Sequence, residues 1–144
     1  MPRFPIFAML VYAPLAAAQA TLGALLDAGA KRLSADEFKR EIVQRTIVGA
    51  TLTGTQMEMM YSANGVLAGR AEDRFDRRTA AFSGEWQIDE AARICTSYRA
   101  VATTGLAVVL PPRCQYWFKL GKQYFFADSD TDRSVKVQSR TIAR

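Results

Sequence analysis

Cys95 and Cys114 are the two side chains whose covalent chemistry the sequence predicts most directly. They lie 19 positions apart, and neither belongs to the C-x-x-C arrangement that is typical of redox pairs. In an exported protein, two such cysteines normally form a structural disulfide. In the chain-entropy model, a loop of this length gives a stabilisation of about 3 kcal/mol. We therefore expect a Cys95–Cys114 disulfide.

Three aspartates at alternate positions, Asp128, Asp130 and Asp132, match the first half of a calcium-binding loop. The second half departs from that pattern, because the sixth position is Arg133 instead of glycine and the twelfth is Ser139 instead of glutamate. We predict a polar turn here, in which the aspartates hydrogen-bond to nearby backbone, and no metal site.

The chain contains no histidine, which removes the commonest general acid/base and the commonest metal ligand. It also lacks the glycine-rich motifs of nucleotide-binding loops. We predict no catalytic residue and no cofactor, and hence a protein that is not an enzyme. A carboxylate-dependent hydrolase remains an alternative, if Glu58 and Glu85 face one cleft from neighbouring strands.

Aromatic residues at strand period give both a core and a candidate contact surface. The core candidates are Phe82, Trp86, Ile88, Tyr116, Phe118, Phe125 and Val137. We place Tyr61, Tyr98 and Trp117 on the opposite face of the sheet, where they would form an exposed aromatic patch for binding.

The formal net charge of +5 comes from basic residues that are scattered among acidic ones. Proteins that bind nucleic acid usually concentrate their positive charge on one face. The charge pattern therefore favours partners other than nucleic acid.

Residues 1–20 have the composition of a signal peptide. Arg3 precedes an apolar stretch, and Ala18-Gln19-Ala20 supplies a small-x-small cleavage site. The stretch is shorter than the roughly 20 residues that a membrane-spanning helix needs, so a retained anchor is the weaker alternative. We expect a periplasmic or secreted protein with no transmembrane segment in the mature chain.

The mature chain fits one domain, residues 34–144, after a leader segment at 21–33 that we leave unassigned. Ser34-Ala-Asp-Glu37 matches a helix capping box and predicts a helix from Ala35 to about Gln44. Three hairpins follow, over 56–71, 81–98 and 114–127, and the first of them turns at Asn64-Gly65. We predict a last strand within 134–142, and a longer loop over 99–113 that contains Pro111-Pro112 and in which Leu106–Leu110 could form a short strand.

These elements predict an α+β fold. One short N-terminal helix is followed by an antiparallel β-meander that forms a twisted sheet or a partial barrel.

Several motifs resemble those of small periplasmic or secreted proteins of Gram-negative bacteria that carry a domain of unknown function. The matching residues are Gly84-Glu-Trp86, Arg93-Ile94-Cys95, Cys114-Gln-Tyr116-Trp117, Gly121 and Tyr124. The resemblance covers roughly residues 33–128. It implies an exported β domain with turn glycines, a core tryptophan and a disulfide, and it implies no activity. The longer loop at 99–113 departs from the family pattern.

Three hypotheses for the function follow. The first is a non-enzymatic binding or interaction module that contacts an envelope or secreted protein through the sheet face or the 99–113 loop. The second is an inhibitor of a secreted enzyme such as a lysozyme or protease, acting through Pro111-Pro112. The third is the hydrolase described above.

Overall fold

The computed structural model describes residues 20–72, 77–101 and 107–144 of the chain. Two short helices are present in these residues: α1 (Leu22–Asp27) and α2 (Ala35–Glu41). The strands are β1 (Lys31–Arg32), β2 (Thr46–Ala50), β3 (Gln56–Tyr61), β4 (Val66–Glu72), β5 (Thr79–Ile88), β6 (Ile94–Val101), β7 (Ala107–Leu120), β8 (Gln123–Ala127) and β9 (Gln138–Ile142). The predicted signal peptide lies outside the described residues, apart from Ala20.

Strands β2 to β9 form a closed antiparallel barrel. Each strand pairs with the next one along the chain, and β9 pairs with β2, where Ile142 lies opposite Ile47. The antiparallel β-meander is therefore confirmed. The expectation of an α+β fold with a twisted sheet or partial barrel is imprecise, because the sheet closes on itself and the described residues contain only two short helices. Because β2 and β9 pair with each other, neither of them is left as an exposed edge of the sheet.

The three predicted hairpins are present as β3–β4, β5–β6 and β7–β8. In the first turn, Gly65 has a φ of 85°, which glycine adopts without strain. Asn64 Oδ1 accepts a hydrogen bond from the Val66 amide at 3.3 Å. The Asn-Gly turn thus sets the register in which Tyr61 lies opposite Leu67.

Helix α2 begins with the predicted capping box. Ser34 Oγ accepts from the Glu37 amide at 3.2 Å, and Glu37 Oε2 accepts from the Ser34 amide at 2.8 Å. The helix ends at Glu41, earlier than predicted, and Gln44 has a left-handed φ of 62°. Phe38 and Ile42 are fully buried and close one end of the barrel.

Helix α1 packs on the outside of the barrel within the segment left unassigned by the sequence. Leu22 and Leu25 join an outer cluster with Phe118, Phe125 and Val137. Among the described residues, no helix is long and apolar enough to cross a membrane.

The predicted loop at 99–113 is wrong over its described residues, although the short strand suggested at 106–110 lies within β7 from Ala107 onward. Strand β6 continues to Val101, and β7 begins at Ala107 and runs through Pro111 and Pro112. The register of the β6–β7 pair shifts between Thr96 and Tyr98. Such a bulge tolerates proline because it interrupts the ladder of backbone hydrogen bonds. Residues 102–106 lie outside the described part of the chain.

Candidate functional site

The barrel encloses a cavity of about 530 Å³. This volume lies in the range of roughly 300–1,000 Å³ that is typical of small-molecule sites. Aliphatic and aromatic side chains line most of it, namely Met57, Met59, Tyr61, Leu67, Phe82, Tyr98, Trp117 and Phe126. Polar groups come from Thr51, Thr53, Thr96, Arg113, Gln115, Gln138 and Arg140. A mainly apolar wall with a few polar groups is the usual composition of a ligand pocket.

An aromatic cluster closes the inner end of the cavity. The Phe38 ring from α2 lies 5.4, 5.8 and 5.2 Å from the rings of Tyr61, Trp86 and Trp117. The contacts with Tyr61 and Trp117 are edge-to-face, an arrangement that is favourable beyond the apolar area that it buries. Trp86 Nε1 donates to the Ser62 carbonyl at 2.9 Å, so its polar atom is satisfied. The cavity therefore has a rigid floor.

The expected exposed aromatic patch is wrong, because all three of its members face the barrel interior. Tyr61 is only 4% exposed and Trp117 only 3%. Tyr98 is half-buried, lines the cavity and contacts Phe82 at a ring distance of 5.3 Å. Successive side chains of a strand point to opposite faces of the sheet. In this barrel one face lines the interior and the other is partly covered by α1, so aromatic residues on both faces can be buried. The structure nevertheless brings these three residues to one site.

The opposite end of the cavity is bordered by the β2–β3 loop and by β7. Leu52 in that loop is 51% exposed, although it also lines the cavity. Arg113 Nη2 donates to Asp128 Oδ2 at 2.5 Å, and Gln115 Nε2 donates to Asp128 Oδ1 at 2.9 Å. The hydrogen bond from Arg113 holds the pKa of Asp128 below its ordinary value. This end is consequently polar and charged at its edge.

Arg140 on β9 places a guanidinium inside the barrel, with only 2% of the residue exposed. Its Nη1 donates to the Ala50 carbonyl at 2.9 Å and to the Ser139 carbonyl at 2.7 Å. The Phe126 ring lies 4.7 Å from the guanidinium carbon, within the range of a cation–π contact. Arg140 Nε is buried and has no hydrogen-bond partner among the described residues. Burial lowers the pKa of Arg140, yet an arginine stays protonated in proteins.

Gly49 makes room for this arginine. A Cβ at position 49 would lie 2.6 Å from the Ser139 carbonyl oxygen and 2.9 Å from Arg140 Cδ. Real side chains do not fit at such distances, so glycine on β2 lets the arginine pack inward.

Tyr61 remains neutral in this environment, because burial raises its pKa far above the ordinary value. Its hydroxyl can therefore donate or accept a hydrogen bond, but it is a poor base. The cavity offers a cation, neutral hydroxyl and amide groups, and apolar walls, which suits binding.

The other predicted sites are not assembled as catalytic or metal centres. Glu58 and Glu85 lie on strands that β4 separates, and each side chain points to the exposed outer face. Glu58 also pairs there with Arg70 at 3.1 Å. The structure thus places the two carboxylates apart, without the shared cleft that the hydrolase alternative requires.

The three alternating aspartates each have a partner of their own. Asp128 pairs with Arg113, and Asp130 pairs with Arg32 at 2.6 Å. Asp132 accepts hydrogen bonds from the amide and the hydroxyl of Ser134 at 2.9 and 2.7 Å. The local geometry is that of a polar turn closed by ion pairs.

Cys95 and Cys114 form the predicted disulfide, directly across the β6–β7 pair. Asp89 lies close to both sulfur atoms, a grouping that could hold a metal ion only if the cysteines were free. Because both sulfur atoms are bonded to each other, this cluster is a covalent link between strands.

The chain matches no protein-family model, and no similar protein was found among curated proteins or solved structures. The resemblance to small periplasmic proteins therefore stays a prediction.

The sequence did not predict Arg140 as a site residue, nor the lining residues Met57, Met59, Gln115 and Gln138. The only sequence pattern that bears on Arg140 is the alternation at 134–142, which places Gln138 and Arg140 on the same face of a strand. That face normally points to solvent. Here α1 covers the other face through Val137, and the polar face turns into the barrel.

Proposed function

We propose that this protein is an exported, non-enzymatic binding protein that holds one small, mainly apolar molecule inside its barrel. The observation that carries the proposal is the cavity of about 530 Å³, whose wall is mostly aromatic and aliphatic. Eight-stranded barrels have interiors that are either filled by side chains or wide enough for one small ligand. A cavity of this size belongs to the second group.

The shape of the cavity supports the same proposal. Phe38 and the aromatic rings that it contacts give the cavity a rigid inner end. The β2–β3 loop borders the other end of the cavity. A pre-formed pocket binds without a large cost of ordering the protein. This interior surface replaces the exposed sheet face as the proposed contact region, and Pro111, Pro112 and Arg113 of the 99–113 segment form part of its lining.

Export is proposed from residues 1–20 alone, and the disulfide is compatible with an oxidising compartment. Intact-mass analysis of the periplasmic form checks this part of the proposal. A chain that starts at Thr21 supports it, and an uncleaved chain contradicts it.

Binding is tested with the neutral fluorescent probe N-phenyl-1-naphthylamine, whose emission rises in apolar surroundings. We expect a saturable rise that corresponds to one probe per chain. Strand β3 offers a matched pair of variants, because Met57 lines the cavity and Met60 is 40% exposed on the outer face. Met57→Trp fills part of the cavity, and we expect it to weaken probe binding by about tenfold or more, whereas Met60→Trp leaves binding unchanged.

Two outcomes would overturn the proposal, provided that circular dichroism shows folded protein. One is the absence of a saturable signal for the parent chain. The other is an equal effect of Met57→Trp and Met60→Trp, which would place the probe on the outer surface.

A further inference from the structure

Arg140 is a buried cation without a counter-charge among the described residues. The ion pairs of that part of the chain involve other basic side chains, as in Arg113–Asp128, Arg133–Asp27 and Lys119–Glu41. Among the described residues, the Arg140 guanidinium contacts two backbone carbonyls and one aromatic ring. A buried charge is costly unless it is paired and hydrogen-bonded.

The unsatisfied part of the guanidinium is its Nε–H. Both hydrogen bonds to carbonyls use Nη1, on the side of the group that faces Ala50 and Ser139. Nε is buried, and no group in the described part of the chain accepts a hydrogen bond from it. It shares one edge of the planar group with Nη2. A carboxylate binds such an edge through two parallel hydrogen bonds.

We infer that Arg140 binds the anionic group of the ligand, so that the barrel selects amphipathic molecules with a single carboxylate. The inference rests on the proposed binding function and adds the chemical class of the ligand. One unpaired guanidinium balances one negative charge, so a monoanion leaves no uncompensated charge in the cavity. A dianion such as a phosphate monoester would bring a second charge against apolar walls.

The surroundings of Arg140 define the rest of the ligand. Phe126 and Gln138 lie beside it. The rest of the cavity wall is largely apolar, up to Leu52 in the β2–β3 loop that borders the end opposite the aromatic cluster. A carboxylate at Arg140 therefore leaves space for an alkyl or aryl body in contact with Met57 and Phe82. The ligand class is thus a carboxylic acid with an apolar chain or ring.

The test compares dodecanoate with 1-dodecanol, each below its self-association concentration, as competitors that displace N-phenyl-1-naphthylamine. These two molecules share the chain and differ in the charged group. For the parent protein we expect dodecanoate to compete at least about tenfold better, as loss of one charge-assisted pair implies. Arg140→Met keeps the approximate volume and removes the charge, and it should abolish this preference while binding of the probe and of dodecanol persists.

Arg70→Met is the matched control, because it removes the same charge from the exposed outer face of β4. We expect it to retain the full preference for dodecanoate. Arg113→Met tests the charged edge of the cavity in the same way.

The outcomes separate the two proposals. If the probe binds but both competitors act equally on the parent protein, the inference is wrong and the binding function stands. The same holds if the preference survives Arg140→Met or is lost only in Arg113→Met. If the folded parent protein binds no probe, the binding function fails and the inference fails with it. If Arg140→Met does not fold, the competition of dodecanoate and 1-dodecanol on the parent protein still tests whether the barrel prefers a carboxylate.

Discussion

Glu41, Lys119 and Tyr124 form a small polar cluster that fastens α2 to the end of the barrel. Lys119 Nζ donates to Glu41 Oε2 at 2.6 Å, and the Tyr124 hydroxyl donates to the same oxygen at 2.9 Å. The hydrogen bond from Lys119 is the main reason why the pKa of Glu41 lies below its ordinary value of 4.5. The same bond raises the pKa of Lys119. Helix α2 is therefore held at the end of the barrel by ionic as well as apolar contacts.

The pKa of Glu41 leads to a prediction about acid stability. A carboxyl group whose pKa is lower in the folded state than in the unfolded state stabilises the fold above its unfolded pKa, and this stabilisation is lost as the pH falls through the folded pKa. Lys119 is partly exposed, so we expect Glu41→Gln to lower the free energy of unfolding at pH 7 by at most about 1 kcal/mol. The difference between the parent chain and the variant should shrink below pH 4.5.

Urea unfolding at a series of pH values measures this difference. Glu58→Gln is the control, since it removes the same charge from the exposed outer face of β3. A difference for Glu41→Gln that stays constant from neutral pH down to about pH 3 would show that the ionised form of Glu41 does not stabilise the fold.

The sequence predicts individual residues well where their role is local. Ser34, Glu37 and Asn64 belong to short motifs whose geometry is set by neighbours along the chain. Arg140 depends instead on Gly49 of a strand far away in the sequence, and on a cavity that exists only after the barrel closes. For that reason the central residue of the candidate site could not be predicted from local pattern.

At the scale of elements, the disulfide joins β6 to β7 where their pairing is least regular. Cys95 lies opposite Cys114, and the register shift between Thr96 and Tyr98 begins one residue further along β6. Pro111 and Pro112 precede Cys114 on the facing strand, lie at this register shift and have no amide hydrogen to donate. The covalent link therefore supports a pair of strands whose hydrogen-bond ladder is interrupted, and both strands contribute to the cavity wall.

Removal of the disulfide should destabilise the chain measurably. We expect the double variant Cys95→Ala/Cys114→Ala to lose about 3 kcal/mol of unfolding free energy, because the unfolded chain regains the entropy that the link removes. Urea unfolding of the parent chain, with and without a reducing agent, gives the matched comparison. The reduced parent should resemble the double variant, and the double variant should not respond to the reducing agent. Equal stability of the oxidised parent and the double variant would contradict the structural role.

The element boundaries show which sequence signals are reliable. The hairpins follow from alternation and from turn residues, which act over a few positions. The predicted 99–113 loop was wrong because prolines usually end strands, whereas here a bulge accommodates them within β7. Where the bulge falls depends on the pairing partner, which the sequence of one strand does not specify.

At the scale of the whole molecule, closure of the barrel and coverage of its outer wall decide what the site is. β9 lies near the end of the chain and pairs with β2, where Ile142 is opposite Ile47. Helix α1 packs against the outer side of β7 and β8. As a result, these strands are covered on both faces, and alternation no longer distinguishes inside from outside. The sequence therefore predicted antiparallel strands, but it did not predict closure or the internal cavity.

The most direct test of ligand binding inside the barrel uses the methionine methyl groups. Met57 and Met59 line the cavity, Met60 on the same strand faces outward, and the other two methionines, Met1 and Met9, lie in the predicted signal peptide. In a chain of residues 21–144 with ¹³C-labelled methionine methyl groups, NMR signals are followed during a titration with N-phenyl-1-naphthylamine. We predict that ring currents shift the Met57 and Met59 signals while the Met60 signal stays in place. A shift confined to Met60, or no shift at saturating probe, would contradict binding in the barrel interior.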